Sequence, residues 1–156
     1  MLFRSLTEAV EDKLDLDDAK DAVVEAMDAA KEATDETARL ENTPAYDRAV
    51  AAALCGSFSL SGKDAAKIIA RSRKRAVEAA DRDTYQAMEG FVHNLNTMHS
   101  RAGAQTPFSS INYGTDITPE GRMVIRNILL ALDAGLGHGE TCIFPIHIFK
   151  VKEGVN

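Results

Sequence analysis

Disulfide bonds and membrane spans have little support in this sequence. Its 156 residues include two cysteines, Cys55 and Cys142, no tryptophan and only four prolines. Two cysteines are too few for a disulfide framework, so we expect free thiols in a reducing compartment. No apolar run is long enough to cross a bilayer, and the start of the chain lacks the apolar core and cleavage site of a signal peptide. We therefore expect a cytoplasmic protein without a membrane partner.

Basic side chains are fewer than acidic ones, and the acidic charge is concentrated at one end of the chain. The net charge is −6, and residues 1–41 contain 13 acidic but only 5 basic side chains. This balance argues against nucleic acid as a partner. We interpret residues 1–41 as an acidic helical segment, for which a solvated or partly frayed helix is favoured over an acidic binding module. Its weakly apolar stripe consists of Ala19, Val23, Ala26, Ala30 and Ala33.

Local signals predict where the helices begin and end. The Ser5–Glu8 segment has the spacing of a capping box, and residues 42–44 place a capping side chain before a proline in the first helical turn. Gly56 is expected to end that second helix. Residues 63–100 contain no proline and a single glycine, Gly90, which predicts one long helix or two helices with a break near Gly90.

Two faces of this long helix can be interpreted from side-chain spacing. Residues three and four positions apart share one face, which we interpret as core. They are Tyr85, Met88, Val92, Leu95 and His99. A basic cluster nearer the start of the helix has no interleaved aromatic residues, so we interpret it as a solvated face rather than a phosphate-binding surface. Its members are Arg71, Arg73, Lys74 and Arg75.

A strand, a helix and a strand follow Gly103, which is well placed to end the long helix. Residues 107–113 and 142–149 are predicted strands, and Thr118 and Pro119 begin the helix between them. The length of this unit fits a crossover between parallel strands, so we predict an α/β fold with a helical first part. We expect the helix to be buried, because its apolar face is wide. That face consists of Met123, Ile125, Ile128, Leu129 and Leu132.

No pattern of catalytic or metal-binding residues stands out. The glycines at 135, 137 and 139 follow a helix and precede a strand, the reverse of the order in a dinucleotide-binding loop, so we interpret them as helix termination. The serines at 109 and 110 lack nucleophile-elbow glycines, and paired carboxylates are abundant only in the acidic segment, where solvent leaves them unperturbed. The histidines have no recognised zinc spacing with either cysteine. They are His93, His99, His138 and His147.

A longer pattern covers the second half of the chain. It consists of TYQAMEGFVHNLNTMHSRAGAQTPFSSINYGTD at 84–116, PEGRMVI at 119–125, AGLG at 134–137, GET at 139–141, IFPI at 143–146 and FKVKEGVN at 149–156. In order and spacing these segments resemble the anaerobic, glycyl-radical ribonucleoside-triphosphate reductases. The resemblance covers residues 84–156, and it implies that residues 42–156 form a partial reductase barrel region, a strand–helix–strand slice of an α/β barrel.

The resemblance also implies a chemistry and where its parts lie. The family barrel surrounds a loop with a thiyl radical that abstracts the 3′ hydrogen of the substrate, and the family uses a glycyl radical and cysteine-bound zinc. Those segments follow the one that ends at Asn156, so we expect no catalytic residue and no cofactor in this chain. Cys142 stands where the family pattern has proline, Cys55 matches no family position, and residues 1–83 lack a recognisable ATP-binding regulatory domain. Ser109, Ser110 and Asn112 are the candidates for polar groups that line the substrate cavity.

Three interpretations of the chain remain open. In the first it is a reductase fragment, inactive alone, which binds ribonucleotide and serves deoxyribonucleotide synthesis when a partner fragment complements it. In the second it is a non-catalytic interaction protein derived from a reductase remnant, forming a homodimer through the long helix around residues 85–95. In the third it is a decayed gene product, whose unpaired strand edges and apolar faces favour aggregation.

Overall fold

A computed structural model describes residues 1–14, 18–41, 43–98, 105–137 and 139–155. The chain divides into two compact units, Met1–Ala80 and Asp81–Asn156, and the predicted boundary between residues 41 and 42 stays a prediction. Within the described ranges, no helix combines the length and the apolar character needed to cross a membrane. The elements are α1 (Leu2–Leu14), α2 (Lys20–Thr34), α3 (Pro44–Phe58), α4 (Gly62–Thr97), β1 (Ser110–Tyr113), α5 (Pro119–Ala134) and β2 (Ile146–Phe149).

The first unit is built around α1, α2, α3 and the first part of α4. Leu6 and Val10 of α1, Val23 of α2 and Leu54 of α3 are fully buried in one apolar cluster, which also includes Ile68 of α4. Burial of a side chain of this size contributes about 1.5–3 kcal/mol. Each helix therefore contributes one apolar stripe to a shared core.

Helix α2 is packed, so the prediction of a solvated or frayed helix is wrong. The buried part of its stripe consists of Ala19, Val23, Ala26 and Ala30. Ala33 is exposed, and the helix ends at Thr34 because Asp35 adopts a left-handed conformation with a φ of 52°. Alanine has so short a side chain that α2 can lie close to α3, whose larger residues fill the space between them. A weakly apolar stripe is sufficient for burial in this setting.

Helix α1 begins at Leu2, so the predicted capping box at Ser5–Glu8 is wrong. Ser5 lies inside the helix, is buried, and donates its backbone N–H to the carbonyl of Met1 (3.2 Å). Its own carbonyl accepts a hydrogen bond from the Ser72 hydroxyl (3.2 Å). Packing of the apolar face, rather than a side-chain cap, determines where this helix begins.

Helix α3 begins at Pro44, as predicted, but it ends later than predicted. Thr43 precedes the helix without capping it through its side chain. The predicted stop at Gly56 is wrong, because the helix continues to Phe58 and Ser59 adopts the left-handed conformation. A glycine inside a helix costs only about 1 kcal/mol, and the packing of neighbouring core residues outweighs that cost.

Helix α4 is uninterrupted, with no break at Gly90, so the structure has the first of the two predicted alternatives, one long helix. On the predicted core face Val92 is buried, Tyr85 and Met88 pack against it, and Leu95 is half-buried. Several predicted features lie outside the described residues. They are the Asn42 cap, His99, the helix end at residues 101–103, and His138.

One member of the predicted solvated basic face, Arg73, is not solvated. Its side chain is 13% exposed, and its Nε and Nη2 atoms lie 2.6–2.7 Å from the carboxylate oxygens of Asp47. The same guanidinium donates to the hydroxyl of Thr43 and to the carbonyl oxygens of Arg39 and Glu41. The planar fork of arginine makes such divided bonding possible. Arg73 therefore ties α4 to the start of α3 and to the segment before it.

The second unit contains the predicted strand, helix and strand. β1 and β2 are parallel, and α5 lies between them in the chain, which confirms the α/β class for this part. The hydroxyl of Thr118 accepts a hydrogen bond from the N–H of Gly121 (3.1 Å), and Pro119 occupies the first turn, as predicted. Two strands do not close a barrel, and the described residues contain no third strand, so the barrel slice stays a prediction.

Both strands are shorter than predicted. β1 begins at Ser110 and β2 at Ile146, each several residues later than the sequence pattern indicates. Pro107 and Pro145 lie in the segments that the prediction assigned to strands. Proline has no N–H for a ladder, so each strand forms only beyond its proline.

Helix α5 is buried on one side only, so the prediction of a wholly buried apolar face is partly wrong. Ile128 is buried, but Leu129 is exposed. The apolar pattern also does not predict the buried Asn127, whose Nδ2 donates to the carboxylate of Asp81 (2.8 Å). Hydrogen bonds from Asn127 and from Arg126 hold the pKa of Asp81 below its usual value. A polar contact therefore joins α5 to α4 beside the apolar one.

Substitution of Arg73 is expected to destabilise the first unit. In Arg73→Ala the carboxylate of Asp47, 18% exposed, loses its cation, so we expect the free energy of unfolding to fall by about 3 kcal/mol. Urea denaturation followed by circular dichroism measures the change. Lys74→Ala is the matched control, because that side chain is 79% exposed, and it should cost about 0.5 kcal/mol or less. Equal losses in the two variants would contradict a structural role for the Arg73–Asp47 pair.

Candidate functional site

The candidate site lies on the two-stranded sheet of the second unit, which carries the predicted cavity residues. The parallel register pairs Ile111 with His147 and Asn112 with Ile148. Paired residues of parallel strands point to the same side of the sheet, and successive residues alternate between sides. The sheet therefore has two faces of different composition.

One face is covered by helices α4 and α5. Ile111 packs against a cluster that includes Val92 of α4 and Ile128 of α5. Alternation places Ser109 on this same side, and its hydroxyl is buried without a hydrogen-bond partner among the described residues. One of the three predicted cavity residues thus lies on the side of the sheet away from the other two.

The opposite face is open and combines polar with apolar side chains. Ser110 and Asn112 are both exposed on it, so two of the three predicted cavity residues lie together. Ile146 and Ile148 of β2 lie beside them and are 41% and 43% exposed. Residues of parallel strands are normally buried on both faces. The composition of this face is typical of a surface that another element covers.

His147 and Tyr113 form a polar contact on the helix-covered face. The Nδ1 atom of His147 lies 3.2 Å from the Tyr113 hydroxyl oxygen, and the rings meet edge to face with centroids 5.5 Å apart. Burial lowers the pKa of His147, because a charged imidazolium would lose its hydration. The other ring nitrogen, Nε2, is buried and has no hydrogen-bond partner within the described ranges. This environment therefore favours the neutral ring.

Asn96 of α4 binds the segment that leads into β2. Its Nδ2 donates to the carbonyl oxygens of Val92 (2.7 Å) and Phe144 (2.6 Å). Its Oδ1 accepts hydrogen bonds from the N–H groups of Ile143 (2.9 Å) and Phe144 (3.0 Å). Spacing and composition did not single out Asn96. The signal that could have found it is the position of a polar amide four residues after Val92, in line with the apolar face.

An apolar cavity of about 240 Å³ opens between α4, β1 and α5. Phe91 and Val124, which line it, are 39% and 45% exposed, so the cavity is open to solvent. Its other walls are Met88, residues 111–113, Ile125 and Ile128. Such walls offer few hydrogen-bond partners to a nucleotide.

The glycines after α5 lie in a turn, and Cys142 packs against the core of the second unit. Gly135 follows α5 with a φ of 73°, and a side chain there would collide with the carbonyl of Glu140, so the glycines form a turn from helix to strand. Cys142 is half-buried against the core of the second unit, and burial raises the pKa of its thiol. Among the described residues, no three His, Cys, Asp or Glu side chains lie close enough to hold a metal ion.

The buried imidazole of His147 is expected to make stability depend on pH. Its pKa is lowered in the folded chain, whereas a histidine in an unfolded chain has a pKa of about 6.5. Below that pH the unfolded chain binds a proton that the folded chain excludes, so the free energy of unfolding falls as the pH is lowered. Urea denaturation at pH 7.5 and 5.5 should show a smaller fall for His147→Gln than for the parent. His93→Gln, at an exposed ring, is the matched control, and the same fall in all three proteins would refute the prediction.

Comparison with known proteins identifies one family. A family model described as anaerobic ribonucleoside-triphosphate reductase matches residues 49–156, more of the chain than the resemblance from residue 84 covers. The anaerobic ribonucleoside-triphosphate reductase of Enterobacteria phage T4 is 38% identical over 89 residues, which are 56% of this chain and 14% of that protein. The reductase of Salmonella typhimurium is 33% identical over 77 residues, 49% of this chain and 11% of that protein. The Escherichia coli reductase is 33% identical over 76 residues, 48% of this chain and 10% of that protein.

The matched region is a large part of this chain but a small part of its relatives. The chain aligns with only 10–14% of the length of these three relatives. The part matched by the family model contains all of α4, β1, α5 and β2, and with them the candidate site. Because that match extends over more than half of the residues, the chain belongs to the anaerobic ribonucleoside-triphosphate reductase family.

Proposed function

We propose that the chain supplies part of the barrel wall of an anaerobic ribonucleoside-triphosphate reductase and serves the reduction of ribonucleotides to deoxyribonucleotides in the cytoplasm. The observation that carries the proposal is the asymmetry of the sheet. Helices α4 and α5 cover one face through Ile111, while the face with Ile146 and Ile148 is open. In an α/β barrel the helices lie outside and the other face of each strand points inward.

Two polar side chains on the inward face are proposed to line the substrate cavity. Ser110 and Asn112 are exposed there, and their hydroxyl and amide groups can both donate and accept hydrogen bonds. A ribonucleotide offers hydroxyl and phosphate oxygens that match such groups. Ser109, also a candidate from the sequence, has its hydroxyl buried on the other side, so we assign it to packing.

The radical chemistry is proposed to come from other segments, in the same polypeptide or in a separate one. Family resemblance assigns the thiyl radical, the glycyl radical and the zinc to sequence beyond the matched region. The described residues bind and orient substrate and exclude water in this proposal, and they do not turn it over alone. The exposed isoleucines of β2 support the dependence on further strands, because a two-stranded sheet is marginally stable in water.

A second candidate function is a non-catalytic interaction protein. The observation in its favour is that the first unit has an apolar core of its own, which includes Leu6, Val23 and Leu54. A chain of this kind is expected to form a homodimer or bind another protein without any reductase segment. The complementation experiment below distinguishes the two functions.

Complementation tests the reductase proposal directly. The chain is purified alone and together with the reductase segment that carries the radical cysteine and glycine, and both samples are activated anaerobically. Formate-dependent conversion of a ribonucleoside triphosphate is expected only in the complemented sample. A chain that remains a stable oligomer, does not associate with the added segment and supports no turnover would favour the interaction protein instead.

Asn112→Ala tests the cavity assignment in the complemented enzyme. Loss of hydrogen bonds between the amide and the substrate should raise KM about tenfold, since one such contact is worth about 1 kcal/mol or somewhat more. Steady-state kinetics measure the change. Thr115→Ala, at an exposed position beyond the end of β1, is the matched control and should leave KM unchanged. An unchanged KM in Asn112→Ala would remove this residue from the cavity.

A further inference from the structure

We infer that Asn96 is a positioning residue for the candidate site. Through Ile143 and Phe144 it determines where β2 enters the sheet, and so which side chains of β2 reach the open face. The inference deepens the proposed function and rests on it only for the role of that face in substrate binding. The contact of Asn96 with the strand entry is independent of any activity.

The amide of Asn96 uses its full hydrogen-bonding capacity in this contact. A primary amide has two donor hydrogens and an oxygen with two acceptor sites. The donors go to the carbonyl oxygens of Val92 (2.7 Å) and Phe144 (2.6 Å). The acceptor sites go to the N–H groups of Ile143 (2.9 Å) and Phe144 (3.0 Å). One side chain thus binds two consecutive residues of the strand entry to a helix whose Val92 is in the core.

Among the described residues, the ladder between β1 and β2 does not extend to Ile143 and Phe144 at the strand entry. The ladder begins only at Ile146, whose N–H donates to the carbonyl of Ser109 (2.9 Å). Pro145, immediately before it, has no N–H to contribute. Without Asn96 the N–H groups of Ile143 and Phe144 would depend on water, since the described residues provide them with no ladder bond.

We infer that the hydrogen bonds of Asn96 fix the register of β2 against β1. A shift of one residue moves every side chain of a strand to the other face. In β2 such a shift would exchange Ile148 with a neighbour such as His147, placing a polar ring beside Asn112. Four paired residues specify the register only weakly, whereas the four hydrogen bonds of Asn96 tie the entry to one place on α4.

Amide hydrogen exchange, measured on the chain alone, tests whether Asn96 holds the entry of β2 in place. In Asn96→Ala we expect the amides of Ile143, Phe144 and Ile146 to exchange about tenfold faster or more, while amides inside α5 keep their rates. Asn94→Ala is the matched control, because it removes an exposed asparagine from the same helix. Equal rates at Ile143 and Phe144 in the two variants would overturn the inference.

Asn96→Asp provides a second test that does not depend on how well the alanine variant folds. The substitution keeps the acceptor oxygen but places a carboxylate oxygen against the carbonyls of Val92 and Phe144. Protonation restores one donor, so protection of the Phe144 amide should recover as the pH falls from 7.5 to 4.5, after correction for intrinsic exchange. Asn94→Asp should show no such recovery. Absence of the pH response in Asn96→Asp would also overturn the inference.

Kinetics of the complemented enzyme separate this inference from the proposed function. If Asn96 positions the cavity wall, Asn96→Ala should raise KM for the ribonucleotide several-fold more than it lowers kcat. An unchanged KM combined with faster exchange would overturn the positioning role. If the complemented parent is itself inactive, the proposed function fails, while the exchange results still decide whether Asn96 fixes the entry of β2.

Discussion

Two parallel strands cannot bury both faces of their sheet without other elements, and the second unit is arranged around this constraint. Among the described residues each of the two strands has one neighbouring strand, and a parallel sheet normally has cover on both faces. Helices α4 and α5 cover the face that carries Ile111 and His147. The other face keeps Ile146 and Ile148 partly exposed beside two polar side chains. On this open face the polar side chains belong to β1 and the exposed isoleucines to β2.

The same constraint makes individual polar side chains important where the ladder is absent. Before β2 the chain passes through Pro145, which cannot donate, and the N–H groups just before it bond to Asn96. On α5, Asn127 is buried among apolar residues because Asp81 accepts its hydrogen bond. A buried amide without partners costs about 1–3 kcal/mol, so position 127 tolerates asparagine because its hydrogen-bond partner is in place. In the second unit, single polar contacts therefore join elements at places where neither apolar packing nor the strand ladder does so.

Local sequence signals predicted much of this fold, and non-local contacts account for most of what they missed. The long helix, the Thr118–Pro119 helix start and the parallel strand pair follow from spacing and capping rules that act within a few residues. The bonding of Arg73 to Asp47, and that of Asn96 to Phe144, joins residues 26 and 48 positions apart. Periodicity carries no information about such pairs. For the site, the sequence offered Ser109, Ser110 and Asn112 together, and it could not reveal which side of the sheet the helices cover, so it did not predict that the Ser109 hydroxyl is buried.

The acidic beginning of the chain shows how composition can mislead about packing. The family match begins at residue 49, inside α3, whereas the first compact unit begins at Met1. Val10 and Val23, which precede the matched region, share one apolar cluster with Leu54 and Ile68, which lie within it. The unmatched helices are therefore packed onto helices of the family region and are not a separate acidic tail. The acidic side chains of these helices lie on the faces exposed to solvent. The buried faces consist mainly of alanine, valine and leucine, so the net charge carries no information about packing.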